Sequence, residues 1–144
     1  MQTSIQFPYK MLQAYTAYCK PLCQEVNLPQ TAFDILMFLA NNPEFNTAGD
    51  IVKIRKIKAN LVSVNVERLV QEGYLERKSV PGDRRKTFLV CTGQSQAIIE
   101  QGRGIQAAFF KKLFENVSED ACLAFQSVLC AIDKNLDQMM KGLD

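Results

Sequence analysis

The sequence predicts a mainly α fold with one small β-hairpin, and three observations predict it. Apolar residues recur every three or four positions through six segments, which is the helical period. One stretch after Gly73 turns instead to Val, Thr, Phe and Tyr on either side of a Pro-Gly turn, the mark of a hairpin. Capping and stop residues stand where the helical period breaks.

In chain order, Pro8 to about Asn27 reads as a first helix, with Leu12, Tyr15, Cys19, Leu22 and Val26 on one stripe. Pro21 inside it predicts a kink or the start of a second segment, because proline has no N–H to donate. A second helix is expected over Thr31 to Ala40, with Phe33, Leu36, Met37 and Ala40 core-spaced and Asn41-Asn42-Pro43 as its stop. Thr47 and Asp50 have the spacing of a capping box, which starts a short third helix with Ile51, Val52 and Ile54 turned inward. The chain breaks near Lys56, and a fourth helix follows from about Lys58 to Glu72, stopped by Gly73.

Tyr74 to Val80 and Lys86 to Thr92 are the expected strands, with Pro81-Gly-Asp-Arg-Arg85 as a charged tip. Two helices complete the chain, over about Gln94 to Glu115 and from Ser118 onward. Ser118 is a good N-cap followed by Glu119 and Asp120, whose charge favours a helix start. The last helix carries Cys122, Phe125, Leu129, Ile132, Leu136 and Met139 or Met140 as one long apolar stripe. The middle elements therefore form a winged helix-turn-helix over residues 30–92. Residues 1–29 and 93–144 supply flanking helices whose apolar stripes a second subunit would cover. The expectation is a single domain over 1–144, assembled as a homodimer.

Composition narrows the function classes. The chain has 144 residues, 47% apolar and 22% charged, which suits one globular domain and excludes disorder. The longest apolar run, Ile35 to Ala40, is far below the roughly 20 residues of a membrane span. No signal-peptide pattern begins the chain, so a cytoplasmic location is expected. Five cysteines, an odd number without a CxxC pair, read as small buried hydrophobes of a reducing compartment. Histidine is absent, which removes the commonest general base and metal ligand, so no metal and no cofactor is expected. With no nucleophile motif, phosphate-cradling loop or framed carboxylate pair, an enzyme is not expected either.

The net charge of +2 is uninformative, but its distribution is not. Residues 50–90 hold ten Lys/Arg against five Asp/Glu, a local +5, whereas the rest of the chain holds seven against ten, or −3. A basic middle between acidic flanks points to a polyanion partner for the middle alone. On the fourth helix, Val66 and Leu69 fall within about 40° of Val62 at about 100° per residue. Asn60, Val64 and Glu67 then face outward, with Ser63 and Arg68 at the flanks. Lys53, Arg55, Lys56 and Lys58 crowd the approach to the helix N-terminus. This pattern suits a helix docked in the major groove of double-stranded DNA. Basic residues would meet phosphates, Asn60 and Ser63 would reach base edges, and Val64 would touch a thymine methyl. The hairpin tip, with Arg84, Arg85 and Lys86, suits a minor groove.

From Asn46 to Thr92 the chain resembles the MarR (multiple-antibiotic-resistance regulator) family. The resemblance rests on the run from Asn60 to Lys78, then Asp83-Arg-Arg85, then Phe88 to Thr92. It implies a dimer built from the terminal helices, acting on a pseudo-palindromic operator, most often as a ligand-responsive repressor. It implies Arg85 as the minor-groove residue, oriented by a salt bridge from Asp83, with Ser63 among the recognition-helix contacts. The DNA-binding set expected is thus Thr47, Lys53, Lys58, Asn60, Ser63, Val64, Arg68, Asp83, Arg84, Arg85 and Lys86. Val64 stands where many members carry Arg, so base preference does not transfer. Asn65 stands where an apolar residue is usual, and is expected half-buried and hydrogen-bonded.

The resemblance also implies a small phenolic or other lipophilic effector, for which Tyr9, Tyr15, Tyr18 and Phe33 are candidates. Some members sense oxidants through first-helix and last-helix cysteines, here Cys19 or Cys23 with Cys122 or Cys130. Without a neighbouring His, only Lys20 would lower a first-helix thiol pKa. A third reading is a winged-helix adaptor or antirepressor that binds protein and not DNA.

Overall fold

The structure is a computed structural model and describes residues 6–143. The order is α1 (Gln6–Glu25), α2 (Gln30–Asn41), α3 (Ala48–Arg55), α4 (Ala59–Gln71), β1 (Leu75–Val80), β2 (Asp83–Cys91), α5 (Gln96–Leu113) and α6 (Glu119–Met140). This is the mainly α fold with one hairpin that the sequence predicts.

Local signals set most boundaries. Thr47 and Asp50 form the expected capping box, each side chain bonding the other's backbone N–H at 3.1 Å. Ser118 caps α6 by accepting from the Ala121 N–H. Gly73 ends α4 at φ +80°, a left-handed conformation that a β-carbon would strain. Pro21 departs from expectation: α1 continues through it as one helix. The carbonyl deprived of its partner is that of Ala17, which lies on the exposed face where water can serve it.

Two compact units divide the chain between Phe109 and Phe110. In the first, α2 is the central element and is buried almost all round, with Phe33, Ile35 and Leu36 fully excluded from solvent. Cys19 and Leu22 of α1, Ile51 of α3, Val62, Val66 and Leu69 of α4, and Ile98 and Ile99 of α5 close over it. Gly102 lets α5 approach closely, since a β-carbon there would lie 2.5 Å from Met37 Sδ and 3.1 Å from Phe33 Cζ. Ile54, expected inward, is exposed, because α3 is too short to bury more than Ile51 fully and Val52 partly.

A polar chain ties α1, α5 and the end of α2. Gln106 donates to the Tyr15 hydroxyl at 3.1 Å and accepts from Asn41 at 3.1 Å, while Arg103 donates to Asn41. Burial pushes the Tyr15 phenol up to about 12, which keeps it neutral as an acceptor. The second unit holds the end of α5 and all of α6. Phe114 meets Phe125 edge-on, with ring centroids 5.9 Å apart. The predicted stripe of α6 is largely exposed, including Phe125, Leu129, Ile132 and Leu136. No described helix is long and apolar enough to cross a membrane.

Candidate nucleic-acid interface

Three pieces of the first unit build the candidate interface: the turn between α3 and α4, the outer face of α4, and the hairpin tip. The turn is made by Lys56, whose backbone is left-handed at φ 54° and ψ 33°. From Ile51 to Val66 no acidic residue occurs, while Lys53, Arg55, Lys56 and Lys58 do. Lys58 is the N-cap of α4 but supplies no side-chain acceptor, and no acid stands in the first turn. The first N–H groups of α4 thus lack side-chain partners, a suitable seat for anionic oxygen.

Along α4, Asn60, Ser63, Val64 and Glu67 are exposed, as the helical projection predicts. Asn65 is 8% exposed, and its amide donates to the Leu61 carbonyl at 2.8 Å, one turn back. The expected hydrogen bond is there, and the burial is deeper than the half-burial expected. Arg68 also differs from its neighbours. Its guanidinium donates to the Asn27 carbonyl at 2.7 Å, and its Nε is buried without a partner. Asn27 is left-handed at φ 55° and closes α1, so Arg68 clasps the end of α1 to the flank of α4. Thr47, in the expected contact set, spends its hydroxyl on the α3 cap.

In the hairpin, Ser79 pairs with Thr87 but Val80 pairs with Asp83. Two adjacent residues of β1 therefore span five of β2, and Arg84, Arg85 and Lys86 form a three-residue bulge. A bulge breaks the ladder and re-aims its side chains. These three basic residues are exposed and carry no ion pair among the described residues. Asp83 does not pair with the Arg85 side chain as expected. Its carboxylate instead accepts from the Arg85 backbone N–H at 2.9 Å, because a turn this tight puts the second amide within reach of a short acidic side chain.

Four further contacts hold this surface together, and sequence reasoning missed them. Arg77 on β1 pairs with Glu67 on α4 at 2.7 Å, and Gln71 donates to the same carboxylate at 3.2 Å. Arg55 lies 3.9 Å from Asp34 of α2. Leu89 of β2 also donates to the Asn46 carbonyl at 2.7 Å, which fastens the hairpin beside the start of α3. Helix, turn and hairpin thus present polar and basic side chains on elements held to one another.

The effector and redox candidates are not gathered in the same way. Phe33 is fully buried beneath Gly102, and Tyr9 is exposed. Tyr15 and Tyr18 both pack edge-on against Phe109, at 5.3 and 5.5 Å. Cys19 and Cys23 are buried, Cys91 and Cys122 half-buried, and Cys130 exposed, all as free thiols. Burial raises the pKa of Cys19 and takes Cys23 up to about 11, the reverse of what a reactive thiolate needs.

Residues 26–86 match the model of the MarR family. Similar solved structures include a MarR protein from Peptoclostridium difficile, with TM-score 0.84, 16% identity, and coverage of 100% of this chain and 96% of that one. A MarR family transcriptional regulator from Listeria monocytogenes, complexed with 26mer DNA, also matches at TM-score 0.84. It is 16% identical over 94% of this chain and 90% of its own. Bordetella bronchiseptica BpsR, whose structure concerns regulation of DNA binding by 6-hydroxynicotinic acid, matches at TM-score 0.70. Its identity is 18%, over 92% of this chain and 95% of its own. The winged helix-turn-helix described above thus lies in the segment that matches the MarR family model, and the chain as a whole is similar in fold to solved MarR-family transcriptional regulators.

Proposed function

We propose that the chain is a sequence-specific, double-stranded DNA-binding repressor that works as a homodimer on a pseudo-palindromic operator. The observation that carries this reading is the bulge at Arg84–Lys86, three exposed cations on the hairpin that packs on α4, a helix that presents Asn60, Ser63 and Val64 outward and has no side-chain cap at its N-terminus. In this reading α4 enters the major groove, Lys53 and Lys58 meet phosphates, and Asn60, Ser63 and Val64 face base edges. Arg84, Arg85 and Lys86 lie along the adjacent minor groove. Asp83 shapes the tip without touching DNA, and Thr47 and Arg68 hold α3 and α4 in place.

Dimerisation is supported by the exposed stripe of α6, since Phe125, Leu129, Ile132 and Leu136 form a contiguous apolar face that water would otherwise meet. A phenolic or other lipophilic effector would bind beside Tyr9, Tyr15 and Tyr18 of α1, while Phe33 belongs to the core. The raised thiol pKa values disfavour the oxidant-sensing alternative.

Fluorescence anisotropy with labelled duplexes tests the reading. Arg85→Ala weakens binding to most duplexes alike, whereas Asn60→Ala relaxes preference at particular bases of a selected operator. A protein-binding adaptor gives no duplex binding at low salt, and that outcome would overturn the proposal.

A further inference from the structure

We propose that Lys56 is a phosphate-contacting residue, placed for that role in a backbone conformation that costs a lysine stability. The inference rests on the DNA-binding reading above and deepens it: the sequence marks Lys56 only as one of four basic residues near α4, and its backbone conformation singles it out.

The left-handed region brings the β-carbon against the following carbonyl, which only Gly, and to a lesser degree Asn and Asp, tolerate readily. Three described non-glycine residues adopt it: Asn27, Lys56 and Asn116. Two of them are asparagine, the residue whose short side chain suits the conformation. Lys56 has neither that side chain nor a compensating contact. It is exposed and makes no hydrogen bond or ion pair among the described residues. Its neighbour Arg55, by contrast, is drawn toward Asp34 at 3.9 Å.

Folding alone would favour Gly or Asn at this turn, so the lysine is explained by something outside the folded subunit. Its surroundings indicate what that is. Lys56 lies in sequence between Lys53 and Lys58, in the segment from Ile51 to Val66 that has no acidic residue, at the approach to α4. A free ammonium group in that place meets a polyanion and recognises charge, not sequence.

The test uses the full chain with Lys56→Gly, Lys56→Asn and Lys56→Arg, and a labelled random-sequence duplex of about 30 base pairs, titrated from about 50 to about 200 mM salt. Gly and Asn remove the charge while easing the backbone. The slope of log affinity against log salt should become shallower by about 0.9 per bound subunit, which is about eightfold weaker binding per subunit at about 0.1 M salt. The Tm of both variants should equal or exceed that of the parent chain, so lost folding cannot explain lost binding. Lys56→Arg should keep the parent slope. An unchanged slope in the Gly and Asn variants would overturn the proposal, and so would a lower Tm in both. If the parent chain itself shows no salt-dependent duplex binding, the DNA-binding reading fails first and is seen to fail separately.

Discussion

Replacing Arg68 by Met separates a clasp from a DNA contact. The substitution keeps most of the aliphatic stem but removes the guanidinium, and with it the 2.7 Å bond to the Asn27 carbonyl. A hydrogen bond from a charged donor contributes about 1.5–3 kcal/mol. Against that, the buried Nε has no partner, and removing it recovers a desolvation cost at the lower end of about 1–3 kcal/mol, because the Arg68 side chain is only partly buried. The balance is a destabilisation of about 1 kcal/mol. A chain of 144 residues has an unfolding entropy near 0.3 kcal/mol per degree, so Tm should fall by about 3 °C. Because the guanidinium is committed to α1, the salt dependence of duplex binding should not change. Thermal melts and salt titrations of the same preparation give both quantities. A slope shallower by about 0.9 per subunit would make Arg68 a phosphate contact and refute the clasp. A Tm loss beyond about 10 °C would show that the energy balance is misjudged.

Other consequences are open to direct measurement. Asn65→Leu should raise Tm by about 3 °C, because a buried amide that only back-bonds its own helix gives way to about 1 kcal/mol of apolar burial; a fall in Tm would mean that the amide is needed. Burial raises the pKa of the Asp34 carboxyl, with Gln30 and Arg55 pulling it partly back. The folded chain therefore takes up a proton at higher pH than the unfolded chain does. Its stability relative to Asp34→Asn should improve as pH falls from neutrality toward the ordinary carboxylate range, and a difference in Tm that ignores pH would contradict this. Peroxide should leave Cys23 a free thiol, because at neutral pH a thiol near 11 is about one part in 10⁴ thiolate, and a disulfide from Cys23 to Cys122 or Cys130 would contradict this. Ile132→Asp on the exposed face of α6 should halve the mass seen by sedimentation, and an unchanged mass would place the subunit contact elsewhere.

The features legible in the sequence are those that neighbours fix. The Thr47–Asp50 cap, the Ser118 cap, the Gly73 stop and the helical period of α4 each need only three or four residues of context, and they set the helix boundaries. The outward set Asn60, Ser63 and Val64 follows from the same period. Side-chain partners far away in sequence were not legible. Arg68 and Asn27 are 41 residues apart and Tyr15 and Gln106 are 91 apart, and nothing local marks either pair. The wing shows both behaviours. Its basic tip is plain in Arg84, Arg85 and Lys86, but the three-residue bulge comes from strand register, which pairs Val80 with Asp83 and leaves the cations unpaired. At Pro21 the helix continues because the orphaned Ala17 carbonyl, which has lost its N–H donor, lies on an exposed face where water can donate to it.

The salt dependence of duplex affinity tests the central claim most directly. With about six phosphate contacts per bound dimer, affinity should fall about a thousandfold between about 50 and about 200 mM salt. Failure to bind any duplex at about 50 mM salt, or an affinity indifferent to salt, would contradict the account.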